Sequence, residues 1–273
     1  MIEHILLLDS NVISKLADDR IRRRLASNLR ATGREFWPTA VNVMEALKSR
    51  DSNLRNRMLA VLAELSGDKH VFPLPTQALR TTAEAIAGQA HRLVWSEPRL
   101  THLFRSPDSV SDTQAKEVRS HLQAQEQRFD KTHNRANEGL VPMIKELGGR
   151  DRWPNVGAFL DEVWNRRNHL EGYVSLLWEE WDLCGEPPVR DLLANRTWQL
   201  YFEGWGATLY ARQLAHPQPP KVEHADLLQL VYCGPARSAI LVTDDKGLVQ
   251  LGMSIIDGRH SRIEVVPLET VIT

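Results

Sequence analysis

Two apolar runs at opposite ends of this chain both stop on acidic residues. Ile5-Leu6-Leu7-Leu8 ends at Asp9, followed by Ser10 and Asn11, and Ala239-Ile240-Leu241-Val242-Thr243 ends at Asp244-Asp245. Polar groups just past the carboxyl ends of parallel strands converge on a ligand crevice, so the two tips point to one shared site. Two further acids belong to the candidate set. Glu45 lies in a helix opened by Thr39, and Asp226 lies in the first turns of a helix after a proline-rich stretch. Each shares its helix face with an amide three residues away, Asn42 and Gln229. Carboxylates gathered without Cys or His partners suit a hard divalent cation, Mg²⁺ or Mn²⁺. Singly, each has a plainer role: Asp9 or Asp244 as a helix N-cap, Glu45 as a solvated helix residue, Asp226 as a complement to the helix dipole. The ordered set carries the chemical reading.

Strand and helix signals alternate around these residues. The pattern predicts a buried strand over 5–8, helix over about 12–29, and a helix from Thr39 with Val41, Met44 and Leu47 on one face. A short strand over 70–74 and a helix over about 77–94 come next. From about 96 to 220 no strand is predicted, only helices over about 112–145 (weakened near Gly139 and Pro142), 156–183 and 189–215. Six of the eight tryptophans fall in this stretch, which reads as a helical subdomain with its own aromatic core. His216-Pro217-Gln218-Pro219-Pro220 reads as a stiff linker. Alternation then resumes, with helix over about 222–233, strand over 239–243, helix over about 246–251 and strand over 263–266. The division is therefore a discontinuous α/β core, 1–95 and 221–273, interrupted by a helical insertion, 96–220.

Composition narrows the function classes. At 273 residues and 42% hydrophobic the chain can bury a sizeable core, and its formal net charge of −1 does not announce a polyanion partner. Two cysteines in unrelated contexts, Cys184 and Cys233, make neither a disulfide framework nor a zinc pattern. No signal peptide or membrane span is read, and a reducing cytoplasm is the expected setting.

In order, context and placement these acids resemble those of the PIN-domain nucleases. The first motif reads Leu7-Leu8-Asp9-Ser10-Asn11-Val12-Ile13, and the second Thr39-Ala40-Val41-Asn42-Val43-Met44-Glu45-Ala46-Leu47. The third reads His224-Ala225-Asp226-Leu227-Leu228, and the fourth Leu241-Val242-Thr243-Asp244-Asp245. The resemblance covers about 1–95 and 221–273; 96–220 has no counterpart in it. It implies a PIN-like three-layer α/β fold with a central parallel sheet, interrupted by an all-helical insertion. It also implies a divalent-metal-dependent endoribonuclease acting as a toxin, an RNA-processing enzyme or a defence nuclease. Asp9, Glu45, Asp226 and Asp245 are then the catalytic metal ligands. Asp244 stands in the variable slot as the competing fourth ligand, and Ser10, Asn11, Asn42 and Thr243 are accessory. Carboxylates about 4 Å apart repel by about 4 kcal/mol per pair at an effective dielectric near 20, so removing one charge, as in Asp9→Asn, is expected to raise stability slightly.

RNA is the implied partner. Single-stranded DNA, a small protein inhibitor of the antitoxin kind and a second copy of the chain are the others weighed; no membrane partner is read. Arg20, Arg22, Arg23 and Arg24, with Arg30 and Arg34 beyond and Lys48, Arg50, Arg55 and Arg57 after Glu45, form a basic stretch suited to phosphates. A solvated helix face explains the same stretch equally well. Two rival readings remain. A phosphatase of the haloacid-dehalogenase type also begins with a strand-tip Asp, but it needs a second Asp where Asn11 stands. A catalytically quiet PIN-like module binding RNA or protein has less need of all four acids.

Overall fold

The computed structural model describes residues 2–90, 95–106, 110–148, 152–213, 228–256 and 258–272. At its centre is a four-stranded, all-parallel sheet with strand order β2-β1-β3-β4. The strands are β1 (Ile2–Leu8), β2 (Glu35–Phe36), β3 (Ala236–Val242) and β4 (Ile263–Val266). The two central strands are apolar on both sides, as a parallel sheet covered on both faces requires. Ile5, Leu7, Ala239 and Leu241 face one layer, while Leu6, Leu8, Ile240 and Val242 face the other.

The second of those layers is aliphatic. It comprises α1 (Ser10–Ile13), α2 (Asp19–Thr32), α3 (Ala40–Lys48), α4 (Ser52–Ser66) and α6 (Pro98–Arg105). The opposite layer is aromatic. It is built from α5 (Pro75–Ile86), α8 (Val156–Asn165), α9 (Arg167–Glu180), α10 (Val189–Ala194) and α11 (Arg196–Gln213), with α12 (Lys246–Ile256) beside them. A last short helix, α13 (Leu268–Ile272), returns to the aliphatic side. The 36-residue α7 (Asp112–Leu147), about 54 Å long at 1.5 Å per residue, serves both layers. Ala115 and Leu122 near its start join the aliphatic layer, and Phe129, Met143 and Leu147 join the aromatic one.

Several predicted elements are corrected. The helix expected over 12–29 breaks at Asp18, whose carboxylate caps α2 by accepting from the Arg20 and Ile21 amides. The strand expected over 70–74 is a single parallel bridge between Thr39 and Phe72, because Pro73 and Pro75 cannot donate to a ladder. The second partner of β1, beside β3, is instead the two-residue β2. The helices expected over 156–183 and 189–215 each divide, at Arg166 and at Asn195, whereas α7 runs unbroken through Gly139 and Pro142. The linker 216–220 and the start of the helix expected over 222–233 lie outside the described residues; the end of that helix is a 3-10 turn, Gln229–Cys233. The helical segment also closes no separate core. Phe159, Tyr173, Trp178, Trp198, Tyr201 and Trp205 pack in one continuous cluster with Ile5, Leu7 and Leu241 of the sheet. Burying that sheet face requires a second layer, and this segment supplies it.

Candidate active site at the carboxyl end of the sheet

The pairing of Leu8 with Val242 brings the ends of β1 and β3 side by side, and the Asp9 amide donates to the Val242 carbonyl at 2.8 Å. Asp9 is thereby carried into the interior, 2% exposed. Its Oδ1 caps α1 by accepting from the Ser10 amide at 2.6 Å and also accepts from Gln229 Nε2 at 2.6 Å. Its Oδ2 accepts from the Thr243 hydroxyl at 2.7 Å. Thr243 Oγ1 in turn accepts from Asn11 Nδ2 at 3.2 Å and from the Asp245 amide at 3.1 Å, and Asn11 Oδ1 accepts from the Asp244 amide. Ser10, Asn11 and Thr243 thus sit where the sequence pattern put them, as one network joining the two strand tips. Every recorded donor to Asp9 is neutral, and among the described residues no Lys, Arg or His pairs with it.

The neighbouring acids have separate partners. Asp244 is held by Lys15 Nζ at 2.5 Å and by the Leu268 amide at 3.1 Å, at the start of α13. Asp245 caps α12, its Oδ1 accepting from the amides of Gly247 at 2.7 Å and Leu248 at 3.0 Å. No hydrogen bond to its Oδ2 is recorded among the described residues. Adjacent residues leaving a strand point opposite ways, which separates the two. Glu45, with its side chain 34% exposed, pairs with Lys48 at 2.9 Å on the same helix.

Asn42 is corrected from accessory group to anchor. Fully buried, it completes a capping box with Thr39 and donates from Nδ2 to the Leu8 carbonyl at 2.6 Å, pinning α3 to the tip of β1. Asp226 and its neighbour His224 lie outside the described residues. Among the described residues, no three Asp, Glu, His or Cys side chains gather as a metal-ligand set.

The basic stretch is narrower than its sequence suggested. Arg20, Arg23 and Arg24 are exposed on α2, but Arg22 is turned to Asp19 at 2.9 Å and Glu64 at 3.6 Å. Arg55 is no phosphate ligand: 4% exposed, it reaches Asp112 at 2.7 Å and the Val110 carbonyl at 3.3 Å, fixing the start of α7. Two contacts of the site had no clear signature in the sequence. Gln229 reaches Asp9 across 220 positions, and Lys15 reaches Asp244 across 229. A long-range amide–carboxylate pair leaves no local spacing to read.

No family model, characterised protein or solved structure matches the chain. Among the described residues no helix is long and apolar enough to cross a membrane.

Proposed function

We propose that the chain is a divalent-metal-dependent phosphodiesterase cutting RNA, with a PIN-like core and its site at the carboxyl end of β1 and β3. The observation that carries this is Asp9: a buried carboxylate at a strand tip, hydrogen-bonded only by neutral donors. A buried charge is costly unless a counter-charge is supplied, and the donor set at hand is oxygen-rich, as Mg²⁺ or Mn²⁺ prefers. Among the described residues Asp245 keeps one carboxylate oxygen without a hydrogen bond, whereas both oxygens of Asp244 are committed. Asp245 is therefore the better fourth ligand, joining Asp9, Glu45 and Asp226. Such an ion, when bound, activates a water and stabilises charge on the transferring phosphoryl group. The chain's own part is positional: Gln229 and Thr243 fix the Asp9 carboxylate, Asn42 fixes α3 beneath Glu45, and the exposed arginines of α2 attract phosphates.

The test is cleavage of a mixed-sequence RNA with Mn²⁺, against the same reaction in chelator and with Asp9→Asn. Metal-dependent cutting that disappears in both controls is expected. Binding without cutting would instead support the quiet module, a reading favoured by the Lys15–Asp244 and Lys48–Glu45 pairs already in place. Cutting retained by Asp9→Asn would sink the site.

A further inference from the structure

The opposite end of the sheet holds a cavity of about 1130 Å³, at the amino ends of β1, β3 and β4. Seven rises of about 3.3 Å along the chain separate Ile2 in its wall by roughly 23 Å from Asp9. Its lining is basic and aromatic: Arg196, Arg237, Arg259 and Arg262 stand around Trp37 and Trp95, and among the described residues no carboxylate lines it. Carboxylates outside the wall account for part of that charge. Arg237 meets Glu3 at 3.3 Å, Arg259 bonds Asp161 and lies 3.5 Å from Glu203, and His260 meets the same Glu203 at 2.6 Å. Arg196 and Arg262 are left over. Arg196 donates to the Ala236 carbonyl at 2.8 Å, and among the described residues neither guanidinium has an ion pair. Burial, and then the nearby charge of Arg262, hold Arg196 below its ordinary pKa. Two like charges facing one space leave a demand for an anion there.

The aromatic wall has a matching deficit. Among the described residues the indole N–H groups of Trp37 and Trp95 have no acceptor, and Trp95 is only 7% exposed. Trp37 stacks on Phe72 at 4.8 Å, with Lys69 Nζ 5.4 Å from the centre of its ring. A heteroaromatic base offers such a wall a flat face to stack on. Guanidinium pairs match phosphate oxygens in geometry, and aromatic side chains in a basic groove hold bases. The volume exceeds what a bare phosphate needs and lies slightly above the usual range for small-molecule sites, about 300–1,000 Å³. A second cavity of about 510 Å³ adjoins it through Gln199, Arg259 and His260, and Arg167, Arg190 and Glu203 line it as well.

From this geometry we infer that the cleft is a binding site for a nucleoside phosphate, presented either as a free nucleotide or as a unit of a single strand. The inference does not depend on the chain being a nuclease, so every measurement is made in chelator. Calorimetric titrations would use ADP, a six-nucleotide single-stranded RNA and pyrophosphate, on the wild type and on Arg262→Glu, Arg23→Glu and Asp9→Asn. Arg262 is exposed and makes no recorded side-chain bond, so its reversal is compatible with folding, which circular dichroism would verify. ADP or the RNA should bind, at least tenfold more weakly to Arg262→Glu and unchanged by Asp9→Asn. Tenfold tighter binding of the RNA than of ADP identifies the strand as the source; equal binding identifies the free nucleotide. The inference is overturned if neither binds, if pyrophosphate binds as tightly as ADP, or if Arg23→Glu abolishes binding while Arg262→Glu does not.

Discussion

The two ends of the sheet carry opposite charge, and the backbone explains much of the contrast. At the carboxyl end the helices that follow β1, β3 and β4 begin, and each of these starts is met by an acid: Asp9 at α1, Asp245 at α12, Asp244 at α13. Helix N-termini present unpaired N–H groups and a partial positive charge, which carboxylates satisfy. At the amino end the chain arrives from helix C-termini, the 3-10 turn before β3 and α12 before β4, where cations are favoured. Arg237, Arg259 and Arg262 stand there. Segregated charge in a parallel sheet is thus no evidence of function by itself. The informative residues are those whose charge no described side chain offsets: Asp9, buried with no cation, and the Arg196–Arg262 pair, with no anion, among the described residues.

Substituting Asp9 should produce the largest effect of all. Asp9→Asn removes a buried acid that has no cation beside it among the described residues, so on the proposed reading RNA cleavage falls to background. Stability should drop as well, by about 1–3 kcal/mol, because a buried donor loses its acceptor. Thr243 Oγ1 already accepts from Asn11 and Asp245, so it can only donate toward residue 9, where the new amide is itself a donor on one side. Urea melts without metal decide the matter. A gain in stability would restore the view, suggested by charge counting alone, that mutual repulsion dominates this end.

Gly234→Ala attacks the amino end instead. A Cβ there would lie 2.1 Å from Thr197 Oγ1 and 2.7 Å from its Cα, so the turn into β3 or the start of α11 must shift, at a cost of about 1–3 kcal/mol. Metal-dependent cleavage should survive. Cys233, next in line, reports the shift: its thiol is fully buried and pushed up to about 12 by that burial, while Cys184 is exposed. Thiolate is the reactive form, so native alkylation read by mass spectrometry should label Cys184 alone in the wild type and add Cys233 in the variant. Unchanged protection of Cys233 would mean that the junction absorbs the methyl group without opening.

Legibility in the sequence also differs between the ends. The strand-tip acids announce themselves because an apolar run stopping at Asp is a local pattern, and β1 and β3 are readable from their unbroken apolar runs. The cleft is invisible there: its arginines come from α11, β3 and the approach to β4, and only pairing of Ile2 with Ala236 brings β1 and β3 into register. The aromatic residues between 153 and 205 read as a separate core because composition reveals packing but not what is packed against. One face of the sheet lacks a layer, and no local signal says so. Asn42 is misassigned for a related reason. Helical spacing places it beside Glu45, but only the fold shows the Leu8 carbonyl waiting for its amide.

Comparing Asp245→Ala with Asp244→Ala asks which acid does more than serve the backbone, and the expected stability differences are the smallest here. Asp245→Ala uncaps α12 and should cost about 1 kcal/mol, the usual worth of an N-cap. Asp244→Ala removes a contact to the Leu268 amide and a pair with Lys15, in which the Asp244 and Lys15 side chains are 24% and 49% exposed; an exposed pair of this kind contributes about 0–1 kcal/mol. The two variants should therefore melt within about 1 kcal/mol of each other, while their cleavage activities diverge. Among the described residues Asp245 retains an oxygen with no hydrogen bond, and Asp244 has none. Loss of cutting in Asp245→Ala with retention in Asp244→Ala is the expected pair of results. If the reverse is found, Lys15 must release Asp244 when metal arrives, and Lys15→Met should then raise metal affinity in the otherwise unaltered chain.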